Sequence, residues 1–205
     1  MIGNKVGLIG GGNMARAIGG GLLRGGMHAT DLMIAEPEPE QSEHLRKELY
    51  GAMVTDDNKI VAAAAEILLF AVKPQILKPV CEGLVDEVQK KRPLIMSIAA
   101  GPRSGDIDAW LGGGLSVVRV MPNQPALIDQ GISALFANER TSEERKQQAE
   151  KIMTAVGHAV WLDSEDKMDA VTAVSGTGPS YFYLLIDIMI ESAKKFGIDE
   201  ATART

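Results

Sequence analysis

The 205-residue sequence holds a single cysteine, Cys81. One thiol excludes an internal disulfide and a cysteine-built metal site, and it fits a reducing compartment. Cys81 falls in the apolar phase of a helical segment and reads as a small buried hydrophobe. Aromatic residues make up only 4% of the chain, so the core must be built from Ala, Val, Ile, Leu and Met. There is no block of Lys and Arg, and the net charge is −6. A chain of that balance has nothing with which to neutralise a phosphate backbone, which argues against a nucleic-acid partner. The longest apolar run, Tyr181 to Ile190, is interrupted by Asp187 and is too short to span a bilayer. A strand is expected within a few residues of Met1, which leaves no room for a signal peptide. These absences point to a cytoplasmic protein with no membrane partner and no metal centre.

Glycine, by contrast, is plentiful at 22 residues, and several fall where a backbone must approach something closely. Strand and helix patterns alternate, as in a parallel α/β sheet. Strands are expected at Lys5–Ile9, Leu32–Ala35, Met53–Thr55, Glu66–Val72, Leu94–Ile98, Ser116–Val120, Ile132–Ala137 and Ala159–Leu162. Helices are expected at Asn13–Arg24, Gln41–Tyr50, Asn58–Ala65, Gln75–Gln89, Asp106–Leu111 and Ser142–Val156. The run EILLFAV is apolar throughout, suited to a strand buried on both faces. After Ser164 no further strand pattern occurs and the remainder reads as helix. The domain boundary is placed there, with residues 1–163 as an α/β unit and 164–205 as the start of a helical one.

The first strand runs into Gly10-Gly11-Gly12-Asn13-Met14-Ala15, which fits G-x-G-x-x-A. The first glycine permits the tight turn, the second admits a pyrophosphate to the backbone, and the small third residue lets helix pack on strand. A lone glycine motif is weak evidence. Here it follows a strand, opens a helix and precedes a second strand, which is the context of a Rossmann-type doubly wound sheet binding NAD or NADP. Glu36 ends that second strand, near the place where an acidic residue bonds the adenosine ribose hydroxyls and favours NAD. The bland alternative is a surface Glu beside Glu38 and Glu40. No Arg follows at once to meet a 2′-phosphate, Arg46 being the nearest.

In doubly wound sheets ligands sit outside the carboxyl ends of the strands. Three expected strand ends carry small residues or prolines: Ala71-Val72-Lys73-Pro74, Ser97-Ile98-Ala99-Ala100-Gly101 and Met121-Pro122-Asn123-Gln124-Pro125. Lys73 is the charged side chain at that mouth, and an ordinary solvated lysine reads equally well there. His28, His44 and His158 fall in a loop, a surface helix and a turn, with no partner pattern for a proton relay. Ser175-Gly176-Thr177-Gly178-Pro179-Ser180 reads as a loop before an apolar helix. Its glycines would let a ligand approach the backbone at the helix start, and as a plain helix-start loop its Ser or Thr would cap the helix with Pro179 in the first turn. The following YFYLLIDIMIESA is apolar on nearly every face, which predicts burial between subunits of a homodimer or higher homo-oligomer.

The stretches IGGGNMARAI, AVKP, SIAAG, RVMPNQPALI and AVSGTGPSYF, in this order from residue 6 to about 190, resemble the pyrroline-5-carboxylate reductase family. The resemblance implies a Rossmann domain followed by an all-helical dimerisation domain. It also implies reduction of a small-molecule cyclic imine, 1-pyrroline-5-carboxylate, to L-proline by NADPH or NADH. On that likeness Gly10, Gly12, Asn13, Met14 and Ala15 would hold the pyrophosphate, with Glu36 and Asn58 beside the adenosine ribose. Ala71, Val72, Lys73 and Pro74 would lie by the middle of the cofactor, and Ala99, Ala100 and Gly101 near the nicotinamide. Asn123, Ser175, Gly176, Thr177 and Gly178 would shape the substrate pocket, and no catalytic acid or base is assigned.

Three departures stand out. Glu36 stands where the family often has a small hydroxyl residue. Gln124 stands where it commonly has Thr. No Ser-Pro-Gly-Gly-Thr-Thr segment is present, so the chain reads as lacking the C-terminal part. Two other readings share the fold. A β-hydroxyacid dehydrogenase would want a catalytic Lys on the long helix, where Lys194 and Lys195 fall late. A non-catalytic NAD(P)-binding regulator would need no complete site.

Overall fold

The computed structural model describes residues 3–205. Its eight-stranded sheet is built from β1 (Val6–Ile9), β2 (Leu32–Ala35), β3 (Met53–Thr55), β4 (Ile67–Phe70), β5 (Leu94–Ser97), β6 (Val117–Met121), β7 (Gly131–Ala137) and β8 (Gly157–Trp161). Their order is β3-β2-β1-β4-β5-β6-β7-β8. The first six strands are all parallel, β7 runs antiparallel to β6, and β8 lies parallel to β7. Strand order reverses between β1 and β4, the place where a doubly wound sheet opens a crevice.

Helices cover both faces, which is why the parallel strands are apolar on both sides. Residues alternate with the two-residue period of a strand. Val6 and Leu8 enter one core cluster with Ile67, Leu69, Leu94 and Met96. Ile9 enters the other with Leu68, Phe70 and Ile95. The first cluster is closed by α1 (Asn13–Arg24), α2 (Pro39–Glu48) and α7 (Glu143–Thr154). The second is closed by α3 (Asn58–Ala64), α4 (Pro74–Glu82), α5 (Val85–Lys91) and α6 (Ser104–Trp110). Cys81 lies fully buried in the second cluster.

Two expectations are corrected. The single helix over Gln75–Gln89 is two helices, α4 and α5, parted at Gly83-Leu84. Pro79 inside α4 has no N–H to give, so the hydrogen-bond ladder is weakened there, and Gly83 then ends the helix. The segment 175–180 is not a capped loop. Residues Thr172–Gly176 form a π-helical turn between α8 (Met168–Val171) and α9 (Gly178–Lys195). No side chain caps α9, because the chain enters it already helical. Smaller differences lie at element ends: α2 begins at Pro39, since proline suits the first turn of a helix, and β8 begins at Gly157. A last short helix, α10, spans Glu200–Arg204. No helix among the described residues is long and apolar enough to cross a membrane.

Candidate functional site

The carboxyl ends of the central strands are tied edge to edge by backbone bonds that run past the strands themselves. Gly10 N–H donates to the Ala35 carbonyl at 2.8 Å, Ala71 N–H to Ile9 at 2.8 Å, and Ile98 N–H to Phe70 at 3.1 Å. The glycine turn, Ala71–Pro74 and Ala99–Gly101 therefore form one continuous rim. Gly10 sits at φ +98°, and a Cβ there would lie 2.9 Å from the Ala71 carbonyl oxygen. Only glycine fits that crossing. A Cβ on Gly12 would meet nothing within 4 Å, so the second glycine faces open space. Gly12 is the N-cap of α1, with no side chain bonded to the helix start and no acidic residue in the first turn. Free N–H groups and the positive end of the helix dipole are thus offered to an anion. Asn13 is exposed, Met14 half-buried, and Ala15 buried against the sheet.

Glu36 leaves the end of β2 and turns back onto the glycine turn. Its Oε2 accepts the Gly11 N–H at 2.7 Å and its Oε1 accepts the Glu38 N–H at 2.9 Å. Gln41 Nε2 donates to the Gly11 carbonyl at 3.3 Å, so both polar groups of Gly11 are held. The Glu36 N–H donates to Thr55 at 2.8 Å, which brings the end of β3 alongside. Asn58, half-buried, opens α3 just beyond, where the Asp57 side chain caps the helix by accepting the Lys59 N–H at 2.8 Å.

At the other side of the rim, Lys73 is exposed as N-cap of α4 and makes no ion pair among the described residues. Ala99 is buried, Ala100 half-buried and Gly101 exposed at φ +98°. Asn123 is buried, and its Oδ1 accepts the Ile132 N–H at 2.9 Å. That bond pins the reversal from β6 into β7, so Asn123 shapes the end of β6 from beneath. Ala100 and Val171 pack on a small cluster of Met121, Ala134 and Met168. A Cβ on Gly176 would lie 3.5 Å from Met121 Sδ. The π-turn thereby stands over the end of β6, and Ser175, Gly176, Thr177 and Gly178 join the same end of the sheet as the other segments.

A polar link that no sequence pattern declared ties the start of the helical region to β6. Arg119, in β6 and only 3% exposed, pairs with Glu165 at 2.9 Å. The same carboxylate accepts the Ser104 N–H at 2.6 Å and its hydroxyl at 2.9 Å. Burial pushes the Glu165 carboxyl up, but the Ser104 and Arg119 hydrogen bonds outweigh it and hold the group below the ordinary carboxylate range. Arg103 pairs with Asp166 beside it at 2.8 Å. The one clue in the sequence was an arginine inside the apolar strand VVRVM, which cannot be buried without a partner.

The three histidines are all exposed and stand outside this rim. Lys194 and Lys195 both lie in the last turn of α9, where Lys194 pairs with Glu191 and Glu200. Among the described residues no group of three or more His, Cys, Asp and Glu stands together as a metal site.

A mostly parallel sheet reversing at β1/β4, with an open glycine turn at the reversal and an uncapped helix start behind it, defines a protein of the Rossmann dinucleotide-binding class. Residues 5–101 match the family model described as NADP oxidoreductase, coenzyme F420-dependent, and residues 165–205 match pyrroline-5-carboxylate reductase dimerisation. A pyrroline-5-carboxylate reductase of Pseudomonas aeruginosa is 42% identical over 97% of this chain and 72% of its own length. The solved structure of a Coxiella burnetii pyrroline-5-carboxylate reductase superposes with a TM-score of 0.88 at 36% identity, over 98% of this chain and 74% of that one. A Plasmodium falciparum relative solved with NADP bound superposes at 0.87, with 26% identity, over 100% of this chain and 74% of that one. The chain belongs to the pyrroline-5-carboxylate reductase family.

Proposed function

We propose that this chain reduces the C=N bond of 1-pyrroline-5-carboxylate to the secondary amine of L-proline, the last step of proline synthesis. The observation that carries this reading is the convergence of five segments on one end of the sheet. The glycine turn, Ala71–Pro74, Ala99–Gly101, Asn123 and the 175–178 turn all lie toward the carboxyl ends of the parallel strands.

The residues present fit a dinucleotide. Gly12 is open where a pyrophosphate approaches, and the α1 N-terminus, with Asn13, Met14 and Ala15, offers its N–H groups there. Glu36 and Asn58 would flank the adenosine ribose, Ala71–Pro74 the middle of the cofactor, and Ala99–Gly101 the nicotinamide. A reduced nicotinamide held there would supply a hydride to the imine carbon, and the protonated imine nitrogen would keep its proton as the amine. A protonated imine is already electrophilic, so the protein's task is positioning rather than strong acid catalysis. That accords with a rim in which Lys73 is the one basic side chain of residues 71–74, 99–101 and 121–125. Beneath that end of the sheet Met121, Ala134 and Met168 form a small buried apolar cluster.

We further place the boundary between dinucleotide-binding and helical units at 163/164. What supports it is that β8 ends at Trp161 and every element from Glu165 on is a helix or helical turn. The α9 side chains Tyr181, Phe182, Leu185 and Met189 are all more than half exposed. Burying them against a second copy would make a homodimer, which we place in the cytoplasm.

The test is steady-state turnover of pyrroline-5-carboxylate with NADH and with NADPH, following loss of reduced cofactor and appearance of proline. Turnover with at least one of them is expected. No turnover by the full-length protein with either would overturn the reading.

A further inference from the structure

We infer that the hydride donor is NADH rather than NADPH, and that Glu36 makes the choice by accepting both hydroxyls of the adenosine ribose. The inference rests on the oxidoreductase reading, and it departs from the NADP bound to the Plasmodium relative. A carboxylate offers about four acceptor positions, two on each oxygen. In Glu36 one on each is used, by Gly11 N–H on Oε2 and by Glu38 N–H on Oε1. Each oxygen keeps one position, matching the two adjacent hydroxyl donors of an unphosphorylated ribose. The two backbone bonds hold the carboxylate against the glycine turn, so its orientation is set before any ligand arrives.

A 2′-phosphate fails on both counts at this place. It carries no hydroxyl to donate and brings close to two negative charges at neutral pH. The surrounding charges make matters worse, since Glu38 and Glu40 follow directly and Glu43 lies on the same helix. The basic side chains nearby are already engaged. Arg16 pairs with Glu48, Lys47 with Glu43 at 2.7 Å, and Lys59 with Glu87 at 3.8 Å. Arg46 Nη2 donates to the Val54 carbonyl at 3.3 Å. A phosphate beyond β2 would have to draw one of these cations from its present partner.

The experiment measures equilibrium binding of NADH and of NADPH to the protein by titration calorimetry, and kcat/KM for each with pyrroline-5-carboxylate. NADH should be favoured in both readouts by roughly ten- to a hundredfold, the worth of hydrogen bonds to a charged group. Glu36→Ser should lose most of that ratio by weakening NADH and admitting NADPH. Glu36→Gln, which keeps one acceptor, should fall between. If the serine variant fails to fold, the wild-type and glutamine arms still decide. Equal or tighter binding of NADPH by the wild type overturns the inference while leaving the reductase reading intact. A wild-type preference for NADH that survives in both variants overturns the role of Glu36. Tighter NADH binding without any turnover supports the inference and counts against the substrate instead.

Discussion

Arg119 Nη1 and Glu165 Oε1 stand 2.9 Å apart with side chains only 4% and 15% exposed. This pair joins β6 to the first turn of the helical region. Arg119 Nη2 also reaches the Gly101 carbonyl at 3.5 Å, so the contact touches the rim assigned to the nicotinamide. Removing one partner strands a buried charge. Glu165→Ala should lower stability by about 3 kcal/mol, whereas Arg119→Met combined with Glu165→Leu should cost much less. Urea unfolding of the three proteins measures this directly, and equal losses in both variants would refute it.

The same pair gives a pH dependence of known sign. The folded-state pKa of Glu165 is depressed, so its contribution is complete above the unfolded glutamate value of roughly 4.3. It is lost as pH falls through the lower folded value. The stability gap between wild type and Glu165→Gln should therefore be constant near neutrality and close as the solution is made more acid than about pH 4. Urea midpoints across that range are the measurement. A gap that widens in acid would reverse the sign.

The two diagnostic glycines should behave differently although they belong to one motif. Gly10→Ala forces a side chain into a positive-φ position 2.9 Å from a carbonyl oxygen, and should destabilise the fold by at least about 2 kcal/mol. Gly12→Ala fills empty space at φ −66°. Its stability should stay within about 0.5 kcal/mol of wild type, while dinucleotide affinity falls roughly tenfold or more. Thermal melts together with cofactor titrations separate the two.

Cys81 should be chemically silent in the folded protein. Burial, aided by the Glu82 charge, pushes its thiol up to about 12, so almost no thiolate is present at neutral pH. Aromatic disulfide reagents should react with no thiol in the native state and with one in denaturant. Fast native labelling would contradict its packing against the sheet.

Much of this was legible in the sequence because it depends on near neighbours. The Gly10–Ala15 turn, the run Glu66–Val72 and the proline-marked strand ends declare themselves within a few residues. Glu36 was visible as an acid at a strand end, but its bond to Gly11 depends on how β2 lies against β1. The Arg119–Glu165 link joins residues 46 positions apart, and no local pattern pairs them. The π-turn at Thr172–Gly176 looked like a loop because two glycines in a short run mimic one. The break at Gly83 was hidden because Pro79 and the surrounding apolar spacing still read as one amphipathic helix.

The central claim is direct hydride transfer from a dinucleotide in the glycine turn to a cyclic imine. It is tested by supplying pyrroline-5-carboxylate with NADH or NADPH fully deuterated at the reactive nicotinamide carbon, and reading the product by mass spectrometry. Proline carrying one deuterium, on the former imine carbon, is expected. Unlabelled proline, or no proline with either cofactor, would contradict it.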